Sequence, residues 1–410
     1  MLLVLKFGGT SVGDVERIKN AAAKVAAEVE LGHKVAVVVS AMAGFTDQLV
    51  NYCRSITPYH DPREHDAVVA SGEQITAGLM AMALQQRGLN ARSWQGWQVP
   101  LRTDSTHSKA RIIDVNAAAV RKRVEDGEIG VMAGFQGITN DDRISTLGRG
   151  GSDTSAVALA IALKADRCDI YTDVDGVYTT DPRVVVKARK IPRIAYEEMM
   201  ELASLGAKVL QPRSVELAMR FRMPVQVLST FENGVGSDMP GTLVTDGDDT
   251  MEQNPVTGIA YTRDEAKITL IEIADRPGVA AAVFGALARA GINVDMIVQT
   301  ASGDGKTTEI TFTVSKNDLD RAKKILESER ETIQFNKLIA SSDVVKISLV
   351  GAGMKTHPGV AATMFETLAE KKINIQVIET SEINVSVLIA EEYAELAMRA
   401  LHTAYGLDSK

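Results

Sequence analysis

Two glycine-bearing blocks hold residue types that suit anionic ligands. In Val4-Leu5-Lys6-Phe7-Gly8-Gly9-Thr10-Ser11-Val12 an apolar run ends at Lys6, and two glycines let the backbone approach a ligand closely. Thr10 or Ser11 then leads toward a helix whose first N–H groups would favour phosphate, with Lys6 as the point charge. The block is not a Walker loop, because no glycine precedes Lys6 in the required spacing. A glycine turn with an exposed lysine fits the same residues. The second block, Thr146-Leu147-Gly148-Arg149-Gly150-Gly151-Ser152-Asp153-Thr154, opens a helix predicted over 154–165, with Ser152 or Asp153 as its N-cap. Arg149 offers a planar fork for a carboxylate, and Gly150 and Gly151 expose amides beside it. Capping alone would explain Asp153, but an arginine, three glycines and a hydroxyl at one helix start are more than a cap needs.

The elements that must position these blocks are legible as an alternation. Short apolar runs at 2–5, 35–39, 129–133, 169–171 and 225–228 read as buried strands, and Ala-rich stretches at 15–30, 78–86, 154–165 and 214–222 as helices. Gly32 and Gly88 stand where C-terminal caps belong. This order predicts an α/β fold with a mainly parallel sheet covered on both faces. A hairpin is expected over 137–146, turning at Asn140-Asp141-Asp142. The breaker-rich stretch 232–249 reads as the start of a linker, with a boundary near Met251.

Beyond it the chain repeats. Pro277-Gly278-Val279-Ala280 recurs as Pro358-Gly359-Val360-Ala361 and Ile292-Asn293 as Ile373-Asn374, an offset of 81 positions in each case (358 − 277, 373 − 292). Each copy reads as a ferredoxin-like βαββαβ unit. Val279, Val283, Leu287 and Ala290 share one apolar helix face, which is ordinary core packing. The Pro-Gly and Ile-Asn turns differ, because free N–H groups and a short polar side chain there would suit a small zwitterion. The expected division is 1–245, a linker region 246–264, then repeats at 265–340 and 341–410.

Composition excludes several function classes. A chain of 410 residues allows about two to four domains. Its 45% hydrophobic and 24% charged residues are those of a globular protein. With a formal charge of −8 and no basic run, a nucleic-acid surface is not expected. Cys53 and Cys168 cannot make a disulfide framework or a zinc site, so a reducing, cytoplasmic setting is expected. Lys6 cuts the opening apolar run short of a secretory leader, and no stretch has 18 consecutive apolar residues, so no membrane association is expected. Gly305-Lys306-Thr307 has the end of a Walker loop but sits between two predicted strands, and no G-x-G-x-x-G follows a strand.

The repeated unit resembles the ACT domain over 266–407, a regulatory module that in pairs binds free amino acids. The two glycine blocks closely resemble the amino-acid kinase superfamily, and followed by tandem ACT units they resemble the aspartokinase family. The likeness extends to Ser40-Ala41-Met42-Ala43-Gly44-Phe45-Thr46, to Ser71-Gly72-Glu73-Gln74 and to the run from Tyr171 to Arg183. It implies ATP with Mg²⁺ as cofactor, L-aspartate as substrate and transfer of phosphate to the β-carboxylate. No metal ligands from the chain itself are implied. Lys6 and Asp153 would be catalytic. Ser40, Thr46, Glu73, Arg149, Gly150 and Ser152 would contact aspartate, and Lys6, Phe7, Gly8, Gly9, Thr172, Asp173, Tyr178, Asp181, Arg183 and Lys208 the nucleotide.

Lysine, threonine or both would act as feedback effectors. Their sites would use Asp275, Asn293, Val294, Asp295 and Gln299, with Val360, Ala361, Asn374, Ile375, Thr380, Ser381 and Glu382. A homodimer through the ACT units is implied, with a separate regulatory chain beginning near Met251 as a further partner; cutting there would remove the effector response. Two other readings differ in prediction. A kinase for glutamate or N-acetylglutamate would not need the ACT tail, and an amino-acid sensor with an inactive kinase domain would lack Lys6, Arg149 or Asp153. Because a carboxylate is already ionised at neutral pH, the chemistry needs charge neutralisation rather than a general base.

Overall fold

The computed structural model describes residues 1–207, 209–247, 255–301, 306–354 and 357–408. They form two compact units. The first holds Met1–Tyr178, Lys190–Ser204 and 209–247; the second holds Thr179–Arg189, Leu205–Ala207 and the described residues from Pro255 onward.

In chain order the first unit runs β1 (Leu2–Phe7), α1 (Val15–Glu30), β2 (Lys34–Val39), α2 (Phe45–Ile56), α3 (Pro62–Val69), α4 (Ser71–Gln86), β3 (Ala91–Trp94), β4 (Leu101–Thr103), β5 (Ile112–Val115), α5 (Ala118–Glu125), β6 (Ile129–Ala133), β7 (Gln136–Ile138), β8 (Ile144–Thr146), α6 (Gly151–Leu163), β9 (Arg167–Thr172), β10 (Arg193–Ala195), α7 (Tyr196–Ser204), α8 (Pro212–Phe221), β11 (Val225–Ser229) and β12 (Thr242–Thr245). Eight strands form one sheet in the order β10-β12-β11-β9-β1-β2-β6-β3. Every neighbouring pair is parallel except β11 with β12. All five predicted apolar runs are in it. Leu3, Leu5 and Phe7 pack with Val37, Val131, Ile18 and Met80 in one core. A fully buried leucine there contributes about 1.5–3 kcal/mol. The smaller sheet β5-β4-β7-β8 contains the predicted hairpin, with Gln136 opposite Thr146.

Two helices depart from expectation in informative ways. α4 begins at Ser71, because Ala70 keeps a helical backbone and carries the chain from α3 directly into a polar first turn. α6 begins at Gly151, and its N-cap is Gly150 in the left-handed region at φ +70°. Ser152 and Asp153 therefore stand inside the first turn instead of capping it. α6 is apolar all round and buried along nearly its whole length, as a helix inside a core must be. The joined helices 62–86 are long and apolar enough to cross a membrane, yet half of that window is buried inside the protein, as in a core helix.

The second unit adds β13 (Gly258–Thr262), β14 (Ala266–Ala274), α9 (Val279–Arg289), β15 (Asp295–Ala301), β16 (Thr307–Val314), α10 (Leu319–Ser328), α11 (Arg330–Ile333), β17 (Lys337–Ser341), β18 (Val344–Val350), α12 (Val360–Glu370), β19 (Ile375–Thr380), β20 (Asn384–Ala390) and α13 (Ala394–Ala404). Its two antiparallel sheets have the orders β15-β16-β14-β17 and β13-β18-β20-β19. The first repeat is a complete βαββαβ unit. The second is not, since no strand follows α13 among the described residues; β13 fills that edge by pairing with β18. The first repeat is thus inserted into the second; residues 256–261, which the sequence leaves free to pair with either repeat, lie in the stretch read as linker and supply most of β13. Met251 and 302–305, where the boundary and the Gly305-Lys306 turn were expected, lie outside the described residues.

The Thr179–Arg189 segment packs into the second repeat. Val185 is buried in its core. Ile259 N–H donates to the Thr179 carbonyl at 2.7 Å, Arg399 Nε to the Val184 carbonyl at 3.1 Å and Arg189 Nε to the Leu407 carbonyl at 2.8 Å.

Candidate active site

A cavity of about 310 Å³ opens where β1, β2 and β6 end, the usual ligand position for a parallel sheet. Lys6 from β1, Ser40 just past β2, Thr46 on α2, Glu73 on α4 and Arg149 to Asp153 at the start of α6 all line it, with Gly9. These predicted residues, scattered over the first 153 positions, share one wall of space. Phe135 and Gln211 join them and carried no signal in the sequence. Gly150 shows why Gln211 belongs there: a Cβ on Gly150 would fall 1.9 Å from the Gln211 Cγ.

The charges in the cavity are arranged unevenly. Lys6 and Asp153 are 7% and 8% exposed, and Nζ stands 2.5 Å from Oδ1, an ion pair without the alignment of a hydrogen bond. Glu73 is 4% exposed; its Oε1 accepts the Ala41 N–H at 3.0 Å, and its Oε2 has no hydrogen-bond partner among the described residues. Burial pushes the Glu73 carboxyl up to about 7, with the Ala41 N–H acting against the rise. Arg149 is exposed at the cavity.

After Lys6 the two glycines bring the chain close to neighbouring backbone. The Gly8 N–H donates to the Tyr171 carbonyl at 3.1 Å, and a Cβ on Gly9 would stand 3.0 Å from the Ala41 carbonyl oxygen. The expected helix start is different. A short turn, Gly9–Val12, comes first, and α1 is capped by Asp14, which accepts the Arg17 N–H at 2.8 Å. An acidic cap repels phosphate, so the amides available beside Lys6 are those of the turn.

A second, small cavity of about 30 Å³ lies at the ends of β9 and β11, lined by Tyr171, Asp175, Lys190, Ser229 and residues 232–235 and 239–241. Thr172 ends β9; its hydroxyl donates to Asp173 at 3.2 Å, and the Tyr178 hydroxyl donates to Asp175 at 3.0 Å. Lys190 pairs with Asp175 at 3.2 Å. Asp175 stands in the resembling run without an assigned role, Lys190 was not singled out from the sequence, and the 232–241 loop, read there as the start of a linker, lines this cavity instead. Lys24 Nζ, buried beneath it, donates to the Glu232 and Gly234 carbonyls at 2.7 and 2.8 Å.

The remaining predicted residues are placed as follows. Asp181 and Arg183 lie in the segment that packs into the second unit, where the Arg183 guanidinium holds the Asp181 carboxyl below its usual range. Lys208 lies outside the described residues. Gly278 and Gly359, at φ +95° and +104°, start α9 and α12, so both Pro-Gly turns open a helix. Val360 and Ala361 are the first residues of α12, and the Tyr405 hydroxyl donates to the Val360 carbonyl at 2.6 Å. Asp275 follows β14, and Asn293 and Val294 precede β15, which carries Asp295 and Gln299. Asn374 precedes β19, which runs from Ile375 to Thr380, and Ser381 and Glu382 follow it. Asp295 is engaged by Lys346 at 2.6 Å.

Comparison with known proteins agrees with this architecture. Residues 1–229 match the amino acid kinase family, and 267–331 and 347–405 each match the ACT domain. The chain is 51% identical over 409 residues to the aspartate kinase of Pseudomonas putida, covering 100% of this chain and 98% of that one. It is 52% identical over 410 residues to the aspartokinase of Pseudomonas aeruginosa, with the same coverage. Among solved structures, Escherichia coli aspartokinase III in complex with aspartate and ADP superposes with a TM-score of 0.79 at 29% identity, covering 98% of this chain and 99% of that one. The same enzyme with lysine and aspartate gives 0.77 at 29% identity over the same shares. With the catalytic fold, both ACT units and full-length relatives in agreement, the chain belongs to the aspartate kinase family.

Proposed function

We propose that this kinase transfers the γ-phosphoryl group of ATP to the β-carboxylate of L-aspartate, giving 4-phospho-L-aspartate, and that lysine, threonine or both restrain it through the ACT units. The observation that carries the substrate reading is the pairing of opposite charges in the 310 Å³ cavity. Glu73 offers a carboxylate oxygen without a partner among the described residues, and Arg149 offers a guanidinium fork. An α-amino acid supplies an ammonium for the first and a carboxylate for the second. Its β-carboxylate is then left free near Lys6.

That carboxylate is the nucleophile and is ionised at neutral pH, so no base is needed. The barrier lies in bringing an anion to a polyphosphate, and Lys6, held by Asp153, neutralises the charge that develops. Among the described residues no cluster of three or more His, Cys, Asp or Glu side chains could cage a metal. Mg²⁺ carried on the ATP phosphates would supply further charge neutralisation beside Lys6. Tyr171, Lys190 and the 232–241 loop are assigned to the nucleotide with Thr172, Asp173 and Tyr178.

Feedback by an amino acid is supported by the two ACT units and by aspartokinase III, which was solved with lysine. The reaction would then open the route to lysine, threonine and methionine in the cytoplasm. Edge strands β15 and β19 expose Ile297 and Ile378, which supports pairing between two copies. A shorter chain beginning near Met251 would carry both sheets complete, since β13 follows that position.

The test is ADP release with L-aspartate, with the acyl phosphate trapped as hydroxamate, while lysine and threonine are titrated singly and together. Aspartate-dependent hydroxamate that falls with an effector supports the reading. Turnover with glutamate or N-acetylglutamate in place of aspartate would overturn its substrate, and insensitivity to both effectors its regulation.

A further inference from the structure

Asp66 on α3 is fully buried, and its two oxygens gather donors from two other segments. Thr146, the last residue of β8, donates its N–H to Oδ2 at 2.9 Å and its hydroxyl to Oδ1 at 2.7 Å. Ser108 donates its N–H at 2.9 Å to Oδ2 and 3.2 Å to Oδ1, and its hydroxyl at 3.2 Å to Oδ1. His107 Nδ1 lies 2.9 Å from Oδ2. None of these groups lines the 310 Å³ cavity.

Both ends of the network nevertheless lead to it. Thr146 precedes Arg149 by three residues, and the chain between them is held firmly. The Arg213 guanidinium donates to the Leu147 carbonyl at 2.8 Å and the Ala110 carbonyl at 2.7 Å, and the Ala110 N–H donates to the Thr146 carbonyl at 2.9 Å. In the other direction α3 turns through Ala70 into α4, where Glu73 is three residues on. That corner is held as well, by Gln136 Nε2 donating to the Ala70 carbonyl at 2.9 Å. An apolar side chain would join α3 to β8 without the cost of burying a charge. What the carboxylate adds is direction, because its lone pairs accept only from donors at fixed positions.

We propose that Asp66 is a positioning residue for substrate recognition: by tying α3 to β8 it fixes the separation between the Glu73 carboxylate and the Arg149 guanidinium, so that one α-amino acid spans both. This rests on the aspartate reading of the cavity. Asp66 touches no reacting atom, and the nucleotide side of the site is built on other strands.

Steady-state kinetics of the full chain test it. Asp66→Asn is expected to raise KM for L-aspartate about tenfold, the scale of a lost hydrogen bond to a charged group, while KM for ATP stays within about twofold and kcat within about threefold. Thr146→Val, which removes one bond and leaves the backbone donors, is expected to give a smaller rise of the same kind, about threefold. In an Arg149→Ala background Asp66→Asn is expected to add less than about twofold, because both changes disable one clamp.

KM values for both substrates rising together, kcat falling with KM for aspartate unchanged, or fully multiplicative effects in the double variant would overturn the proposal. If Asp66→Asn does not fold, Thr146→Val decides, and an unchanged KM for aspartate overturns it. Absence of aspartate-dependent ADP formation in the unaltered chain would remove the reading and the proposal together. Activity there with no KM split in the variants removes the positioning role alone.

Discussion

The Thr179 hydroxyl and His402 Nε2 lie 2.9 Å apart although 223 positions separate them. Thr179 belongs to the run from Tyr171 to Arg183 that marks the catalytic half in sequence, and His402 is on α13, the last helix. The final repeat thus takes a piece of the catalytic signature into its own core, with Val185 buried there.

A chain ending near Met251 is therefore expected to lose more than its effector response. Val185 would be stripped of its packing and the Thr179 and Val184 carbonyls of their donors. Activity of the truncated chain should fall by at least about tenfold, with a lowered Tm, because several buried contacts are lost at once. Assays of both chains side by side check this, and a truncated enzyme that keeps full turnover would refute it.

Glu73 gives a pH dependence with a definite sign. Its carboxyl titrates near 7, and only the ionised form can hold an ammonium group. Below that pH, kcat/KM for aspartate should fall about tenfold per unit. Stability should run the other way. A carboxyl whose folded value exceeds its unfolded value favours the folded state most at low pH, and that advantage is lost as pH rises through about 7. Glu73→Gln should therefore bind aspartate poorly yet be more stable than the unaltered chain at pH 8, a gain that shrinks toward pH 5. Urea unfolding at the two pH values and a kcat/KM profile would show both signs.

Lys6→Met should lower kcat by about 10²–10³-fold, the scale of removing one preorganised charge from a phosphoryl-transfer site. It should also destabilise the protein by about 3–5 kcal/mol, since Asp153 would be left buried without its cation. Near-normal turnover in this variant would dismiss the catalytic assignment of Lys6.

Gly150→Ala places a methyl group into Gln211 and imposes a left-handed φ on alanine. Strain of about 1–2 kcal/mol from the backbone alone is expected, together with a raised KM for aspartate. Because the Gln211 Cβ would itself stand 2.5 Å from the new methyl group, the relieving change is Gln211→Gly, which should recover part of the affinity and none of the backbone strain. A double variant no better than the single one would show that the clash is not with Gln211.

The parallel sheet was readable because β1, β2, β6 and β9 are buried on both faces and appear as continuous apolar runs. In the larger cavity Lys6, Gly9 and Arg149 to Asp153 were readable because charge and glycine crowd at a strand end and a helix start, whereas Ser40, Thr46 and Glu73 entered through the family resemblance alone. Other features had no local signature. β13 looks the same whichever repeat it joins, and its partner is set by tertiary pairing with β18. The 232–241 loop has the Gly and Pro content of a linker, and it takes tertiary contacts from Lys24, Glu28, Tyr171 and Gln226 to show that it is held in place. Gln211 and Asp66 act through distant segments, so nothing beside them in the sequence marks their use.

The donated strand also governs the order in which the chain can be assembled during synthesis. Gly258 pairs with Val350, so β13 leaves the ribosome 92 residues (350 − 258) before its partner exists. At ordinary translation speeds that is a wait on the order of 5–20 s with an open sheet edge. Thr179 waits longer still, for His402, 223 positions further on. The core of the second repeat can close only after α13 has emerged, and until then its unpaired strand edge is open to wrong pairing.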